Sequence, residues 1–354
     1  MTAYFLAMLA LLIPAIMLPQ RTPTRVAWVF AFLSLVVFVG LRHKVGMDWN
    51  NYLVMLGKVE GAPFLDSLRV AEPAYATLLW LSGNSGFGVY GVNLVSAALL
   101  LSGVIKFSKV TALPWVALVC AVPVLVVVVG MSANRQAAAI GILMWLVATW
   151  DQTRLRKRVA LIVFASLFHF SAIVFLGFAV LGLRMRPMYK SFAVGFLFLI
   201  GFAFLQLSGG AEYYDQAYLS GQSELTYSPG ATQHVLLNGL PALLILCGAR
   251  LRSVLFPTPI LRQMAWMAVV LIPLAFFFST AAGRMTLYLF PVSMFVLAGL
   301  AQQFRGSSAK AIMRTLISVT QLGVLWVWLN YANSSIAYVP YENLLWIPGW
   351  ELHL

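Results

Sequence analysis

Apolar runs long enough to cross a membrane recur along the whole chain, and short basic clusters separate them. A spanning helix needs about 20 mostly apolar residues. Ten candidate spans meet that description: 3–18, 26–41, 87–105, 112–130, 136–150, 190–207, 234–249, 263–281, 285–303 and 311–331. Hydrophobic residues make up 62% of the chain and charged residues only 9%, whereas soluble proteins carry about 25% charged residues. The sequence therefore predicts an all-α, polytopic transmembrane bundle, one integral-membrane domain over 1–354, and argues against a separate soluble catalytic domain.

The excess of positive charge, +13 in formal terms, is dispersed between the apolar runs. Dispersed basic clusters mark cytoplasmic loops, whereas nucleic-acid binding calls for a continuous basic face, so no nucleic-acid partner is expected. The two cysteines, Cys120 and Cys247, both lie within apolar runs, and the four histidines show no metal-ligand spacing. Neither a disulfide, nor a metal site, nor a cofactor is therefore predicted.

One apolar segment, 159–183, breaks the alternation of sides because basic clusters flank both of its ends. We interpret it as two re-entrant half-helices, about 159–168 and 171–183, that turn at His169. A straight, tilted span is the alternative, and it places one basic cluster on the wrong side. Three further segments are expected outside: 42–86 with a short dipping helix, 208–233 as a candidate lid, and 332–354 lying in the interface.

A small set of polar residues falls outside the cytoplasmic clusters and gathers at the depth of the outer boundary. Its members are Arg42, Asp48, Tyr52, Glu72, Arg135, Gln136, His169, Arg284 and Tyr288. Each has a structural alternative: an arginine can extend to lipid head groups, Asp48 and Glu72 can begin helices, and His169 can be a satisfied buried histidine.

Taken together, these residue types fit chemistry on a lipid-linked diphosphate. Arginine binds phosphate through a planar, permanently charged fork, and a carboxylate or imidazole can accept a proton from an attacking hydroxyl. Such a reaction needs no metal if arginine neutralises the leaving diphosphate.

Ordered motifs spread over residues 40–341 resemble one family, the EpsG-type, Wzy-like exopolysaccharide polymerases. The motifs are Gly40-Leu41-Arg42, Val45-Gly46-Met47-Asp48 with Tyr52, Glu72-Pro73, Asn134-Arg135-Gln136, His169-Phe170-Ser171-Ala172, Gly283-Arg284 with Tyr288, and Pro340-Tyr341. The resemblance implies a GT-C-related glycosyltransferase of the bacterial inner membrane. Such an enzyme joins undecaprenyl-diphosphate-linked oligosaccharide repeat units on the periplasmic face. Met47 is a departure, because the family often has a small or hydroxyl residue there.

The resemblance also implies a role for each candidate residue. Arg42, Arg135 and Arg284 would hold the donor diphosphate, with Gln136 beside them in the substrate-binding set. Asp48 and His169 lead as candidates for activating the acceptor hydroxyl, with Glu72 in reserve. Tyr52 and Tyr288 would contact sugar. Expected partners are the lipid-linked oligosaccharide, the growing glycan chain and membrane lipid, with a flippase and a chain-length regulator of the same pathway as further candidates.

Two other classes of function stay open at this stage. An O-antigen-ligase-like or polyprenyl-phosphate-sugar glycosyltransferase would differ in its acceptor or donor, which sequence separates poorly. A non-catalytic transporter of lipid-linked glycan would need polar residues along a path to the other face, and such proteins usually contain internal repeats. Neither feature is evident here.

Overall fold

The computed structural model describes residues 1–18, 25–186, 188–190, 192, 195, 229–248 and 258–347. The chain divides into two compact units. Unit 1 comprises Met1–Ala148, Val163–Phe170 and Leu297–Leu354, and unit 2 comprises Thr149–Ile162 and Ser171–Val296.

Unit 1 contains helices from the first half of the chain and from its C-terminal part. The first-half helices are α1 (Thr2–Met17), α2 (Arg25–Gly40), α3 (Trp49–Gly57), α4 (Phe64–Ser67), α5 (Pro73–Asn84), α6 (Gly88–Ser108), α7 (Pro114–Ala121), a π-helix (Val122–Val129), α8 (Gly130–Ser132) and α9 (Asn134–Ala148). The C-terminal elements are 3-10 turns Ala301–Gln303, Asn333–Ala337 and Leu344–Trp346 and the long helix Ser307–Tyr331. Two short strands, β1 (Arg42–His43) and β2 (Glu342–Asn343), pair antiparallel, with Arg42 opposite Asn343.

The remaining elements belong wholly or partly to unit 2. They are the 3-10 turns Trp150–Gln152 and Phe170–Val174 and the helices α10 (Leu155–Ser166), α11 (Phe175–Leu181), Pro229–Cys247, Pro259–Leu274, Ser279–Tyr288 and Pro291–Leu300. Helix α10 begins in unit 2 and ends in unit 1, and the helix from Pro291 crosses the same boundary.

Among the described residues, four helices are long and apolar enough to cross a membrane: Gly88–Ser108, Pro114–Ser132, Gly230–Cys247 and Ser307–Tyr331. The pair Ser279–Tyr288 and Pro291–Gln303, bent by 59°, makes a fifth if it is counted as one span. The same part of the chain contains four shorter apolar helices of 10–17 residues, among them α1 and α2. The protein is thus all-helical in character and membrane-embedded, while the full count of ten spans stays a prediction. Most of the predicted span 190–207 and of the loop 208–233 lies outside the described residues.

The core of unit 1 depends on a close crossing of α6 and α9. A Cβ added to Gly103 would lie 1.9 Å from the carbonyl oxygen of Gly141, and one added to Gly141 would lie 2.1 Å from that of Leu99. Only glycine allows the two backbones to approach so closely, which is how small residues pack membrane helices. The crossing fixes the start of α9, where the candidate site lies.

The segment after the last long helix packs into unit 1 through its tyrosines. Tyr338 and Tyr341 are buried, and the Tyr4 hydroxyl donates a hydrogen bond to the Tyr338 carbonyl oxygen at 2.7 Å. The Tyr338 hydroxyl donates to the Val128 carbonyl oxygen, 2.9 Å away within the π-helix. A π-helix in a span often marks a functional site because it displaces backbone carbonyls from the regular ladder. The aromatic character of this segment therefore serves burial against α1 and the π-helix as well as any contact with the interface.

The helical segment predicted to turn at His169 is interrupted there. Helix α10 ends at Ser166, and a 3-10 turn begins at Phe170 and runs into α11. The backbone N–H groups of Ala74 and Tyr75 donate to the Leu167 carbonyl oxygen at 2.9 and 3.4 Å. The break is confirmed, and the sidedness of its two flanks stays a prediction.

Candidate active site

Seven of the nine predicted site residues belong to unit 1, and two belong to unit 2. The unit 1 residues are Arg42, Asp48, Tyr52, Glu72, Arg135, Gln136 and His169. The unit 2 residues are Arg284 and Tyr288.

The carboxylate of Glu72 joins His169 and Arg135 in one hydrogen-bonded group. One oxygen, Oε1, is 3.0 Å from His169 Nδ1 and accepts from the Phe170 backbone N–H at 3.3 Å. The other, Oε2, accepts from an Arg135 terminal nitrogen at 3.0 Å. Three segments far apart in the sequence thus deliver an acid, a base and a cation to one point.

Local sequence explains why Glu72 reaches this group. It immediately precedes α5, and its side chain makes no cap hydrogen bond to that helix. Pro73 has no N–H, so the first two donors of α5 belong to Ala74 and Tyr75, and both are satisfied by the Leu167 carbonyl oxygen. Because another residue satisfies these donors, the carboxylate of Glu72 remains available to His169, two residues beyond Leu167. Glu72 therefore begins α5 through its backbone carbonyl oxygen, which accepts from the Ala76 N–H, and the Leu167 carbonyl oxygen takes the place of a side-chain cap.

The electrostatics of the group hold Glu72 in its ionised form. Burial alone raises the pKa of its carboxyl, but the hydrogen bond from His169 and the charge of Arg135 outweigh burial and lower that pKa from 4.5 to about 2. A carboxylate held this firmly is a weak proton acceptor. Glu72 is thus better suited to orient its neighbours than to serve as a general base.

The contact with Glu72 also fixes the histidine tautomer. An ionised carboxylate can only accept, so His169 Nδ1 carries a proton and donates it. In neutral imidazole the lone pair then lies on Nε2. This is the arrangement in which a carboxylate–histidine pair serves a hydroxyl nucleophile as general base.

The solvent exposure of the side chains in this group decreases from Arg135 through Glu72 to His169. The side chain of Arg135 is 34% exposed, that of Glu72 16% and that of His169 9%. The cation therefore faces the outside of unit 1, and the acid and base lie behind it.

The side chain of Arg42 is buried, and its guanidinium group donates four hydrogen bonds within unit 1. It is 1% exposed. It donates to the carbonyl oxygens of Val39 at 2.7 Å and Val45 at 3.1 Å, and to the side-chain oxygens of Asn93 at 3.2 Å and Asn134 at 2.8 Å. All four acceptors are neutral, and burial lowers the pKa of the guanidinium below its usual value. In this conformation Arg42 ties the end of α2 to α6 and α9, and it has no surface from which to bind a diphosphate.

The bond from Arg42 to Asn134 connects the buried Arg42 to the half-buried Arg135. Asn134 is the first residue of α9, directly before Arg135, and it also donates to Asn93 Oδ1 at 2.6 Å. The end of α9 that carries Arg135 is consequently anchored by two side-chain hydrogen bonds. Arg42 thereby fixes the position of Arg135 without reaching the Glu72 group itself.

Asp48 directly precedes α3 and Tyr52 lies within that helix, and both approach the same region. The Asp48 backbone N–H donates to Ser132 Oγ at 3.3 Å, and Asn51 Nδ2 is 3.5 Å from Asp48 Oδ1. Tyr52 is buried, and burial and the charge of Asp48 raise the pKa of its hydroxyl while Arg135 lowers it. Asp48 therefore stays a candidate proton acceptor, and Tyr52 is enclosed in the protein.

Gly46 allows this loop to fit against α8. Its φ is +106°, a conformation that side-chain-bearing residues rarely adopt, and an added Cβ would lie 1.9 Å from the Met131 carbonyl oxygen. Its N–H donates to the Ala337 carbonyl oxygen at 2.8 Å. The Val45-Gly46-Met47-Asp48 motif thus has a structural requirement for glycine independent of any substrate.

In unit 2, Arg284 and Tyr288 share the helix Ser279–Tyr288. Arg284 is exposed. Tyr288 is buried, and its hydroxyl is 2.8 Å from Ser171 Oγ. The predicted sugar-contacting tyrosine is therefore engaged with the serine of the His169-Phe170-Ser171 motif.

The model of the EpsG family matches residues 25–343 of the 354. The chain belongs to the EpsG family. No curated protein and no solved structure gives a significant match. The family identifies the chain in general terms as a membrane polysaccharide polymerase of glycosyltransferase type, and the matched range contains every predicted site residue.

Several residues that organise this EpsG-family site were not selected from the sequence. They are Asn93, Ser132, Leu167, Tyr338 and Asn343. Asn93 carried a usable signal, since it is a lone amide within the apolar run of α6. Asn343 carried none, because its role depends on pairing with a strand 300 residues earlier.

Within the described residues of this EpsG-family chain, no group of three or more His, Cys, Asp and Glu side chains could hold a metal ion. The positive charge of the Glu72 group comes from Arg135. The expectation that the reaction proceeds without metal stays a prediction for experiment.

Proposed function

We propose that this EpsG-family protein polymerises polyprenyl-diphosphate-linked oligosaccharide repeat units into exopolysaccharide on the outer face of the bacterial inner membrane. One observation carries the proposal. Glu72 holds a histidine in the tautomer of a general base and an accessible arginine within one group, each at 3.0 Å. Undecaprenyl diphosphate is the carrier that the family resemblance implies.

The proposed reaction is a single glycosyl transfer. A hydroxyl of the acceptor sugar attacks the anomeric carbon of the donor sugar, and its proton passes to His169 Nε2. A glycosidic C–O bond forms while the bond from the anomeric carbon to the diphosphate oxygen breaks. The departing oxygen keeps the bonding electron pair, so polyprenyl diphosphate leaves with one more negative charge.

Arg135 is proposed to stabilise that charge. A guanidinium has five N–H donors, and the described bond to Glu72 uses one terminal nitrogen, so the remaining donors can bind phosphate oxygens. Cations placed where charge develops provide much of the catalysis in such reactions. Arg284 is proposed as a further donor-binding residue on the basis of the sequence motif alone.

Glu72 is proposed to orient rather than to accept the proton. It receives three donors, from His169, Phe170 and Arg135, and its lowered pKa keeps it ionised at physiological pH. His169 is therefore the leading base, and Asp48 is the second candidate.

The test uses purified protein with a defined polyprenyl-diphosphate oligosaccharide, with and without a chelator. We expect His169→Ala to lower kcat by about 10²- to 10⁴-fold, the usual contribution of a general base, with little change in KM. Arg135→Ala should raise KM and lower kcat. Arg69→Ala, an exposed arginine of unit 1, is the matched control.

Wild-type polymerisation by both His169→Ala and Arg135→Ala would refute the site. Loss of activity on chelation, reversed by adding metal back, would refute the metal-free mechanism. If His169→Ala retains turnover and Asp48→Asn abolishes it, the base is Asp48.

A further inference from the structure

Three cations lie together at the end of α2 and α6 that is remote from the Glu72 group. Arg25 is the first residue of α2, Lys106 lies in the last turn of α6, and Lys109 directly follows that helix. Burial, followed by the charges of Lys106 and Arg25, lowers the pKa of Lys109, so both charges lie near its ammonium group. Asn93 and Lys106 are separated by about 20 Å along α6, so this basic end lies at the opposite end of that helix from Asn93.

Three tryptophans, Trp28, Trp115 and Trp145, pack at this basic end, and we call them the tryptophan floor. Trp28 and Trp115 stack with ring centroids 4.2 Å apart and planes inclined by 5°. Lys109 Nζ lies 5.1 Å from the Trp28 ring centroid, and Lys106 Nζ lies 5.8 Å from that of Trp145. Lysine over an indole face is a favourable contact, and tryptophan is the residue typical of the membrane–water boundary.

Two hydrogen-bond donors in this floor lack a partner in the described part of the chain. The indole N–H groups of Trp28 and Trp115 are buried and unbonded there, and the two residues are 3% and 8% exposed. Buried donors of this kind normally find an acceptor. An oxygen-rich ligand would supply one.

Within the described ranges, no carboxylate forms an ion pair with any of the three cations. The ion pairs found among the described residues are the two at Glu72, at the other end of the helices. The carbonyl end of α6 attracts Lys106 and Lys109. The helix dipole does not explain the position of Arg25, because the N-terminus of α2 is the positive end of that helix and favours an anion.

We propose that this basic end binds the phosphate of an anionic phospholipid in the leaflet opposite the Glu72 group. The position at the ends of membrane helices and the tryptophan floor favour a lipid over a soluble anion. Val29, Phe30 and Val110 are exposed apolar side chains of the same helix ends, and they would contact acyl chains. Basic sites between membrane helices are a known mode of anionic-lipid recognition.

The test measures lipid binding to the purified full-length protein by native mass spectrometry. Dioleoylphosphatidylglycerol is titrated against dioleoylphosphatidylcholine, and soluble glycerol phosphate is used as a competitor. We expect tighter binding of the anionic lipid and no competition at equal concentration. Each cation near a membrane contributes about 1 kcal/mol, so Lys106→Gln/Lys109→Gln should weaken anionic-lipid binding about 25-fold.

The matched control is Lys58→Gln/Arg69→Gln, which removes two exposed charges elsewhere in unit 1 and should leave binding unchanged. If the double lysine variant fails to fold, Arg25→Gln replaces it, with an expected loss of about fivefold. Equal loss in the control, equal binding of both lipids, or competition by glycerol phosphate would each overturn the proposal.

Discussion

Replacing Glu72 by glutamine removes one charge with little change in shape, and it tests the electrostatics of the site. The neutral amide resembles the protonated acid, so the lowered pKa measures what the replacement loses. A shift from 4.5 to about 2 corresponds to about 3 kcal/mol of stability at pH 7. The stability that comes from a depressed pKa is fully present above 4.5 and is lost as the pH falls toward 2. At pH 3 the same calculation leaves less than half of that stabilisation.

The assay is thermal unfolding in detergent at pH 7 and pH 3, comparing wild type, Glu72→Gln and Glu60→Gln. Glu60 is an exposed carboxylate of unit 1 and serves as the control. We expect Glu72→Gln to unfold at a clearly lower temperature at pH 7, with a smaller difference at pH 3, and Glu60→Gln to match wild type. Identical unfolding of Glu72→Gln and wild type at pH 7, or a difference that is unchanged at pH 3, would refute the reasoning.

Three further predictions concern the backbone, the donor site and the topology. Gly46→Ala should destabilise the protein by more than about 2 kcal/mol, because it adds a steric clash to the cost of positive φ. Gly61 also has positive φ but no neighbour within 4 Å, so Gly61→Ala should show the backbone cost alone. Equal losses of stability in unfolding scans would contradict this prediction. Arg284→Ala should raise KM for the lipid-linked donor about 10- to 100-fold, the value of a charge-assisted hydrogen bond, and an unchanged KM would remove it from the site. In a cysteine-free background, Gln152→Cys and Met188→Cys should react with an impermeant thiol reagent from the cytoplasmic side only, and labelling from opposite sides would show that the segment crosses the membrane.

Sequence reasoning located the features that the bilayer itself enforces. Apolar runs predicted the long helices, and a polar residue in mid-run predicted the break at His169. Glu72 before Pro73 predicted the start of α5. These predictions succeeded because the effects of solvent and of backbone chemistry act on each segment of the chain separately.

Features that depend on distant partners could not be predicted in the same way. Arg42 is read from sequence as a phosphate ligand, yet it is enclosed by acceptors from Val39, Val45, Asn93 and Asn134. Two of these acceptors are backbone carbonyls, which leave no mark in the sequence. An arginine that organises a site and one that binds substrate therefore look alike until their neighbours are known.

The same limit applies to the proton acceptor. From the sequence, Asp48 and His169 led as candidates for the proton acceptor and Glu72 was held in reserve, and nothing in the sequence separated Asp48 from His169. The structure separates them by their partners, since Glu72 receives three donors and directs the Nδ1 proton of His169. Spacing along the chain, 97 residues between the pair, gives no hint of that contact.

The most direct measurement counts both products of the proposed transfer. Purified protein and a defined polyprenyl-diphosphate oligosaccharide are incubated together, and glycan length and free polyprenyl diphosphate are followed in parallel. We predict one polyprenyl diphosphate released for each glycosidic bond formed by wild type, and formation of both products slowed about 10²- to 10⁴-fold in His169→Ala. Glycan growth without matching release of the carrier, or normal growth with His169→Ala, would contradict the account.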